Sequence, residues 1–359
     1  MKILRNSLVP LKRIKQNKNI MANNHDQFIA FNDTVRLTST KETTLTDNRK
    51  ALRNVIRKYF DDNKPNEIKP KFGSQGSFVM KTIVNPIPQW SNEDNKDLHK
   101  YDVDDGVYFI GNETHSQRYG VSTYHEWIYD AVKDHTTKGA VKKNTCVRVL
   151  YADGHHIDLP IYYKRKDIVN SIPELAHKGK GWTDSDPKAF ADWFNGKVDS
   201  KQQLRRIVRY LKAWSDYRHT QSDTKMPSGF MLTILAAENI SYNDKDDVAM
   251  KETLEKIQKK IDPAFGGRFE CWRPTTPKNE NLFAEFSDTR RDYFLSQLKS
   301  FVTSAQQAIA GTNPKESCMK WQKHFGNRFS CATAKNEDEK AEANTYSEPA
   351  IIKNNARSA

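Results

Sequence analysis

The sequence predicts an α+β protein with two lobes, a mixed-sheet lobe followed by a helical lobe. Between residues 72 and 163 the apolar residues form short β-rich runs, and one longer helical stretch from about 123 to 136 separates them. After Asp167 the apolar residues recur at helical spacing. The 359 residues suit two lobes around a sizeable core, and the chain has no apolar run of roughly 18 residues that would predict a membrane span.

Two helices are predicted before the sheet, because apolar residues recur at helical spacing between His25 and Phe60. We expect both of them to pack on the sheet lobe. The strands of that lobe are predicted from β-rich runs at residues 105–110, 146–151 and 157–163.

The helical lobe contains the strongest amphipathic pattern of the chain, from Lys201 to Arg218. Its apolar residues share one face, while Arg205, Arg209 and Lys212 lie elsewhere on the helix. Pro227 suits the first turn of a second, buried helix that continues to about residue 237. Residues 281–310 predict one or two further helices.

These patterns divide the chain into four parts. Residues 1–22 predict a disordered basic arm or an upstream start, because the first 20 residues hold six cations and no acid. Residues 23–165 are predicted to form the sheet lobe with its N-terminal helices, and residues 166–331 the helical lobe. Residues 332–359 carry few large apolar side chains and predict a flexible tail.

The charge and the cysteines limit the class of protein. A formal net charge of +13 suits an anionic partner such as nucleic acid, nucleotide phosphate or an acidic membrane surface, without choosing among them. The four cysteines, Cys146, Cys271, Cys318 and Cys331, are widely spaced and form no CxxC pair. This spacing argues against a zinc site and against a disulfide scaffold, and it favours a reducing cytoplasm.

Two carboxylates at alternate positions of one predicted strand are the most informative feature. Asp102 and Asp104 point to the same face of such a strand, whereas Val103 and Asp105 face away. Like charges so close together raise each other's pKa unless a cation neutralises them, and hard oxygen ligands suit Mg²⁺, with Mn²⁺ as the alternative ion. An acidic turn that caps a hairpin is the structural alternative.

Asp158 adds a third acid, inside the apolar run Ile157-Asp158-Leu159-Pro160-Ile161. A carboxylate in a buried strand is costly unless it is paired or bound to a metal. A salt bridge to Arg148 or Lys164 is the structural alternative. We predict that Asp158 joins Asp102 and Asp104 in binding a metal ion.

A glycine-containing turn, Phe72-Gly73-Ser74-Gln75-Gly76-Ser77-Phe78, lies upstream of these acids and precedes a segment compatible with a helix, residues 78–84. Backbone amides at a turn and a helix N-terminus hold phosphate oxygens, and a serine hydroxyl adds a donor. The turn is not a P-loop, because no Gly-Lys-Ser/Thr follows. With the acids downstream it predicts a nucleotide site.

The three motifs resemble the nucleotidyltransferase superfamily, and more closely the bacterial cyclic GMP-AMP synthase-like enzymes, the CD-NTases of CBASS antiphage systems. The resemblance rests on Gln75-Gly76-Ser77-Phe78, on the stretch from Tyr101 through Asp102 and Asp104 to Tyr108, and on the stretch from His156 through Asp158 to Tyr162. It implies a two-lobed nucleotidyltransferase (polymerase beta-like) fold, in which the helical lobe is an oligoadenylate-synthase-like C-terminal domain.

The resemblance also implies the chemistry and the binding residues. Asp102 and Asp104 would hold Mg²⁺ on the donor triphosphate, and Asp158 would help a second metal ion to activate the attacking ribose hydroxyl. The predicted nucleotide-binding residues are Gly76, Ser77 and Ser74 in the turn, Arg148 on the strand before Asp158, and Lys212 and Ser228 in the helical lobe.

The implied function is the conversion of ATP and other ribonucleoside triphosphates into a cyclic di- or trinucleotide second messenger in antiphage defence. Two alternatives remain open: a linear nucleotidyl or polyadenylyl transferase acting on RNA, and an inactive fold that senses nucleic acid. By the resemblance, an accessory protein of the ubiquitin-like conjugation or HORMA type is a candidate partner, through the C-terminal tail or the surface. Activation by nucleic acid is not favoured, and no membrane partner is predicted.

Overall fold

The computed structural model describes residues 21–336. The predictions for the basic arm up to residue 20, and for the tail from residue 337 onward, lie outside these residues. Within them the α-helices are α1 (His25–Val35), α2 (Ser39–Asn63), α3 (Gly76–Val79), α4 (Val121–Val132), α5 (Pro187–Asn195), α6 (Gln203–His219), α7 (Gly229–Asn239), α8 (Asp246–Ile261), α9 (Asp288–Ala310) and α10 (Pro314–Phe325). The strands are β1 (Lys71–Ser74), β2 (Gln89–Ser91), β3 (Lys96–Leu98), β4 (Asp102–Gly111), β5 (Ala140–Lys142), β6 (Cys146–Leu150), β7 (His156–Arg165), β8 (Glu174–His177) and β9 (Gly181–Asp184).

A mixed seven-stranded sheet forms the first lobe, so the predicted α+β class is confirmed. Its strands follow the order β1-β4-β7-β6-β5, and β8 pairs with β7 and β9 with β8. The central pair, β4 and β7, is parallel, and the other pairs are antiparallel. The three predicted strands correspond to β4, β6 and β7. The strands β2 and β3 form a separate hairpin that presents Trp90 to solvent.

The two N-terminal helices pack in different cores, so the expectation that both belong to the sheet lobe was wrong. Leu52 and Phe60 of α2 are fully buried with the sheet residues, among them Val107 and Ile161. By contrast, Phe28 of α1 is fully buried in the core of the helical lobe. Helical spacing predicted both helices but carries no information about which partner covers each apolar face.

The helical lobe contains more helices than the sequence predicted. Helices α6, α7 and α9 match the predicted segments, whereas α5, α8 and α10 were not anticipated. The chain also does not turn helical directly after Asp167, because β8 and β9 first extend the sheet from β7. Several helices of both lobes are preceded by a residue whose side chain accepts a hydrogen bond from the first turn. These residues are Thr38, Asp186, Ser228, Ser287 and Asn313.

Cys318 and Cys331 form a disulfide between α10 and the segment that follows it. The wide spacing of the cysteines argued against a disulfide scaffold and did not indicate this single bond, which forms because the fold brings together two residues 13 positions apart. Cys146 and Cys271 are free and buried. No helix among residues 21–336 is long and apolar enough to cross a membrane.

Candidate active site

Asp102, Asp104 and Asp158 converge at the centre of the sheet. The parallel pairing of β4 with β7 places Asp158 directly beside Asp104. Asp102 lies two positions before Asp104 on the same face, as the alternation of a strand requires. One carboxylate oxygen from each of the three residues lies within 4.8 Å of the others. The structure thus brings together the three acids predicted from the sequence.

Asp105 faces the opposite side of the sheet, as predicted, and it is neutralised there by α2. Its carboxylate is fully buried and accepts hydrogen bonds from Arg49 at 3.0 Å and from Arg53 at 2.7 Å. The acidic run of β4 therefore divides into an ion-paired, structural acid on one face and two acids without such partners on the other.

Burial and repulsion make the ionised form of Asp104 unfavourable. Burial, and then the negative charges of Asp102 and Asp158, raise the pKa of Asp104 to about 7, although Arg148 and Lys212 act in the opposite direction. A divalent cation between the three carboxylates would remove this penalty, since hard oxygen ligands suit Mg²⁺ and Mn²⁺. The donor set fits such an ion but does not distinguish between the two metals.

Arg148 contacts the third acid directly. It lies beside Asp158 in the antiparallel pairing of β6 with β7. Its Nε and Nη2 atoms each donate to one carboxylate oxygen of Asp158 at 2.7 Å. This bidentate bond is the main cause of the raised pKa of Arg148. The salt bridge considered as an alternative for Asp158 is therefore present, together with the acidic cluster, and nucleotide binding by Arg148 stays a prediction.

The predicted Gly-Ser turn leads into the short helix α3, which begins at Gly76 and ends at Val79 rather than continuing to residue 84. Gly76 has φ of +65°, and a Cβ atom there would collide with the Oδ2 atom of Asp104. Its lack of a side chain therefore allows a left-handed backbone and a close approach to the acids. Ser77 follows, and it lines the same cleft as Asp102.

The side chain of Gln75 anchors this turn to the sheet through hydrogen bonds, a role that the sequence did not indicate. The side chain is buried; its Nε2 atom donates to the hydroxyl of Tyr162 at 3.3 Å, and its Oε1 atom accepts from the hydroxyl of Tyr108 at 3.2 Å. The two tyrosine rings stack with centroids 4.7 Å apart. Its position between Gly73 and Gly76 was visible in the sequence, but the two tyrosines come from different strands.

Ser74 does not join the phosphate-binding side of the turn. It lies at the end of β1 opposite Asp105, and its hydroxyl accepts hydrogen bonds from Arg49 and Arg53. The prediction of Ser74 as a second phosphate donor was therefore wrong, because strand alternation directs its side chain to the structural face of the sheet.

Lys212 belongs to the helical lobe and lines the same cleft as Asp102 and Asp104. Its Nζ atom donates to the carbonyl of Thr82 at 3.1 Å. A Cβ atom at Gly229 would lie 3.0 Å from the Cε atom of Lys212, so the glycine leaves room for the lysine stem. Burial lowers the pKa of Lys212 to about 8, with a further contribution from Arg209, while Asp102 and Asp104 oppose this change.

Ser228 lines the same cleft and is the N-cap residue of α7. Its hydroxyl accepts from the backbone amide of Met231 at 3.3 Å, which is the N-cap interaction that its sequence position also suggested. The hydroxyl proton remains available to a ligand, since a cap uses only the oxygen as an acceptor. Phosphate binding by Ser228 stays a prediction.

The cleft between the lobes has a volume of about 670 Å³ and a second cavity of about 320 Å³ adjoins it. Ser77, Asp102, Lys212 and Gly229 line both. The far wall of the larger cavity comes from distant segments that include Phe190, Phe230, Arg273 and Thr276. Sequence reasoning missed this wall, because no spacing links segments so far apart in the chain.

The sheet with its three acids, the glycine turn beside them and the helical lobe that closes the cleft define a nucleotidyltransferase. Residues 70–162 match the model of the "Cyclic GMP-AMP synthase DncV-like, nucleotidyltransferase domain", and residues 201–336 match the "Cyclic GMP-AMP synthase, C-terminal domain". The chain belongs to this family of DncV-like nucleotidyltransferases, as the resemblance of the motifs had predicted.

Individual relatives support this assignment at low identity. The cyclic GMP-AMP synthase of Vibrio cholerae is 23% identical over 366 residues, which cover 84% of this chain and 77% of the relative. That of Escherichia albertii is 27% identical over 206 residues, 55% of this chain and 42% of the relative, so less than half of that protein is matched. The solved structure of a mutant of the Vibrio cholerae di-nucleotide cyclase DncV, in complex with ATP, GTP and 5MTHFGLU2, superposes with a TM-score of 0.72 at 21% identity, covering 87% of this chain and 98% of the other. This last likeness establishes the fold.

The position of Ser77 leads to a first kinetic prediction. We expect Ser77→Ala to raise the KM for nucleoside triphosphate about tenfold and to change kcat less, because one hydrogen bond to a charged phosphate is lost. Steady-state kinetics at fixed free Mg²⁺ test this expectation. Ser74→Ala, three residues earlier on the structural face, is the matched control and should leave KM unchanged. An unchanged KM for Ser77→Ala would place the phosphate contact elsewhere.

The raised pKa of Asp104 predicts how stability depends on pH and metal. Because the pKa of Asp104 is about 7 in the fold and 3.8 for an ordinary aspartate, the folded state holds an extra proton between these two pH values. Its contribution to the free energy of unfolding is therefore present at low pH and lost as the pH rises to about 7. We expect Mg²⁺ to raise the Tm more at pH 8 than at pH 5, measured by thermal unfolding. An equal rise at both values would show that the metal does not replace this proton.

Proposed function

We propose that this protein joins ribonucleoside triphosphates, among them ATP and GTP, into a cyclic di- or trinucleotide. The observation that carries the proposal is the cluster of Asp102, Asp104 and Asp158, whose carboxylate oxygens lie within 4.8 Å of one another beside the Gly76–Ser77 turn. Three mutually repelling acids, two of which line a nucleotide-sized cleft, have a clear use in binding metal and triphosphate.

In this proposal the donor triphosphate lies between the two lobes. The Ser77 hydroxyl and the amides at the start of α3 bind phosphate oxygens from the sheet lobe. The Lys212 ammonium and the Ser228 hydroxyl bind them from the helical lobe. Lys212 is already held near the acids by the carbonyl of Thr82, so little side-chain freedom is lost on binding.

Asp102, Asp104 and Asp158 would hold the Mg²⁺ ions, with Mn²⁺ as the alternative. When bound by these carboxylates, such an ion would supply positive charge to stabilise the attacking and leaving oxygens of the displacement. Asp158 is fixed for this task by its bidentate bond to Arg148, which prevents its carboxylate from rotating away from Asp104. In this arrangement Arg148 acts as a positioning residue.

The adjoining cavities favour a reaction between two nucleotides at one set of acids. They meet at Ser77, Asp102 and Lys212, so one nucleotide on each side of this junction would present its reacting group to the same carboxylates. In the first transfer a ribose hydroxyl of one nucleotide would attack the α-phosphate of the other, and pyrophosphate would leave. In the last transfer a ribose hydroxyl of the linear intermediate would attack its own terminal α-phosphate, release a further pyrophosphate and close the ring. The bases of the product depend on the far wall of the cleft.

The proposal is tested by incubating the purified chain with the four ribonucleoside triphosphates and Mg²⁺, followed by mass spectrometry of phosphatase-resistant products. A cyclic oligonucleotide is expected, and its mass would identify the bases. A linear, phosphatase-sensitive product would contradict the proposal and favour a linear transferase. Extension of an added RNA 3′ end would identify the polyadenylyl-type alternative, and binding without turnover in the presence of RNA or DNA would identify a sensor.

The biological setting is part of the proposal. A cyclic nucleotide messenger made from cellular triphosphates fits a cytoplasmic enzyme of CBASS antiphage defence, with a ubiquitin-like conjugation enzyme or HORMA-type protein as accessory partner. The tail proposed to contact such a partner comprises residues 332–359, of which only residues 332–336 are among those that the structure describes. Copurification of the chain with the proteins encoded beside it tests this partnership.

A further inference from the structure

A second, larger cleft lies on the other side of the Gly-Ser turn from the acids. It has a volume of about 1100 Å³, and α1, α2, the segment after α3 and the start of α6 line it. Phe78 and Lys81 form part of its wall, whereas Ser77 and Met80 line the active-site cleft. One short segment therefore separates the two cavities.

Cations dominate this second cleft. Six line it, against the two acids Glu42 and Asp47; the six are Arg36, Lys81, Lys201, Arg205, Arg206 and Arg209. Three of these cations form salt bridges, Arg36 with Asp33, Lys201 with Asp244 and Arg206 with Asp246.

Lys81, Arg205 and Arg209 have no carboxylate partner within the described part of the chain. Arg209 donates only to neutral oxygens, those of Asn32 at 2.8 Å and of the Lys81 carbonyl at 2.6 Å. Burial, together with the positive charges of Arg206, Arg36 and Arg205, lowers the pKa of Arg209 to about 10. A recessed cluster of uncompensated arginines is costly without an anion.

We propose that this cleft binds a small phosphate-bearing ligand that regulates the active site. Phosphate is the anion favoured here, because several guanidinium groups converge on one cavity and guanidinium binds phosphate in bidentate geometry. The cavity has the size of a small-molecule site. The two acids that line the cleft, Glu42 and Asp47, are exposed on α2. They would repel a long phosphate backbone that passes over α2, whereas a compact anion inside the cleft would contact the arginines of α6 instead.

The regulatory part of the proposal rests on three consecutive carbonyl groups. Those of Met80, Lys81 and Thr82 accept hydrogen bonds from Arg205 at 2.9 Å, Arg209 at 2.6 Å and Lys212 at 3.1 Å, respectively. All three cations lie on α6, and the three carbonyls directly follow the helix that carries Ser77. An anion that recruits Arg205 and Arg209 competes with these bonds. It would therefore loosen the segment that positions both Ser77 and Lys212.

Binding is tested with inorganic tripolyphosphate as the probe, by calorimetry on the full chain saturated with a non-hydrolysable nucleoside triphosphate and Mg²⁺. With the active site filled, we expect one further molecule of probe to bind. Arg36→Glu with Lys81→Glu should weaken this binding at least about tenfold, since two phosphate contacts become repulsive. Both side chains are exposed, so the fold should persist, which thermal unfolding checks.

The matched control is Lys259→Glu with Lys299→Glu, which makes the same charge change at exposed positions of α8 and α9. It should bind the probe like the parent. Absence of binding to the parent, or equal weakening in both double variants, would overturn the proposal. Binding of a short duplex RNA that is lost in Arg36→Glu with Lys81→Glu, without tripolyphosphate binding, would also overturn it and assign the cleft to nucleic acid.

The effect on turnover rests on the proposed function and is measured separately. At constant free Mg²⁺, tripolyphosphate should lower kcat for nucleotide consumption, and saturating nucleotide should not restore it. The variant Arg36→Glu with Lys81→Glu should be inhibited less than the parent. Purely competitive inhibition, equal in parent and variant, would refute the regulatory part. The calorimetry needs no turnover, so it can detect binding even if the chain makes no cyclic product. A failure of the proposed binding is therefore distinguishable from a failure of the proposed function.

Discussion

Replacing both Asp102 and Asp104 by asparagine is expected to lower nucleotide consumption by at least about 10³-fold. The variant loses two of the three carboxylates that would hold the metal, and with the metal it loses the stabilisation of the charge that develops at the reacting oxygens. The fold should not suffer. Burial and like-charge repulsion already raise the pKa of Asp104 to about 7, so the neutral amide removes an unfavourable charge. We expect the Tm at pH 8 without metal to equal or exceed that of the parent, measured by thermal unfolding beside the product assay.

The matched control for this double variant is Asp97→Asn with Asp134→Asn, two exposed acids outside the cleft. It removes the same formal charge and should leave both turnover and Tm close to those of the parent. A large loss of stability in the Asp102 and Asp104 variant would contradict the proposal, because it would show that the two acids hold the fold together as Asp105 does.

The contrast between Asp104 and Asp105 shows what the sequence could predict. Strand alternation separates neighbouring residues onto opposite faces, so the pairing of Asp102 with Asp104 and the exclusion of Asp105 followed from spacing alone. The position of Asp158 next to Asp104 required the parallel pairing of β4 with β7. The resemblance of the ordered motifs predicted that Asp158 joins the other two acids, but the parallel pairing itself was not predicted, since spacing within one strand says nothing about its neighbours.

Other features depend on contacts between segments far apart in the chain. Ser74 lies within the predicted turn, but its hydroxyl contacts Arg49 and Arg53 of α2. Local sequence gave no sign of these partners. Similarly, α1 and α2 have similar helical patterns, yet Phe28 and Phe60 are buried in different lobes. Amphipathic spacing identifies an apolar face, whereas the residue that covers it is decided by the tertiary fold.

The same dependence on distant contacts explains the basic face of α6. The sequence predicted an amphipathic helix with basic residues off its apolar face, and such residues are usually solvated. In the structure three of them hold consecutive carbonyls of the segment after α3. The helix therefore connects the second cleft to the Gly-Ser turn, and the polar side of its pattern carries as much structural information as the apolar side.

Replacing Gly76 by alanine is expected to have the second large effect. At φ of +65° a side chain destabilises the backbone by about 1–2 kcal/mol, and here the added methyl group would also collide with Asp104 Oδ2. Either the turn or the carboxylate must move. Because displacement of reacting groups by about 1 Å costs about 10²-fold in rate, we expect kcat/KM to fall by roughly that factor in the product assay.

Gly266→Ala separates the two causes. Gly266 has φ of +77°, and a Cβ atom there would meet nothing within 4 Å, so this variant experiences the backbone strain without the collision. Both variants should lose a similar amount of stability to the left-handed backbone, measured by denaturant unfolding, but only Gly76→Ala should lose activity. Full activity of Gly76→Ala would mean that the turn can move away from Asp104 during turnover, which contradicts a fixed phosphate-binding turn beside the acids.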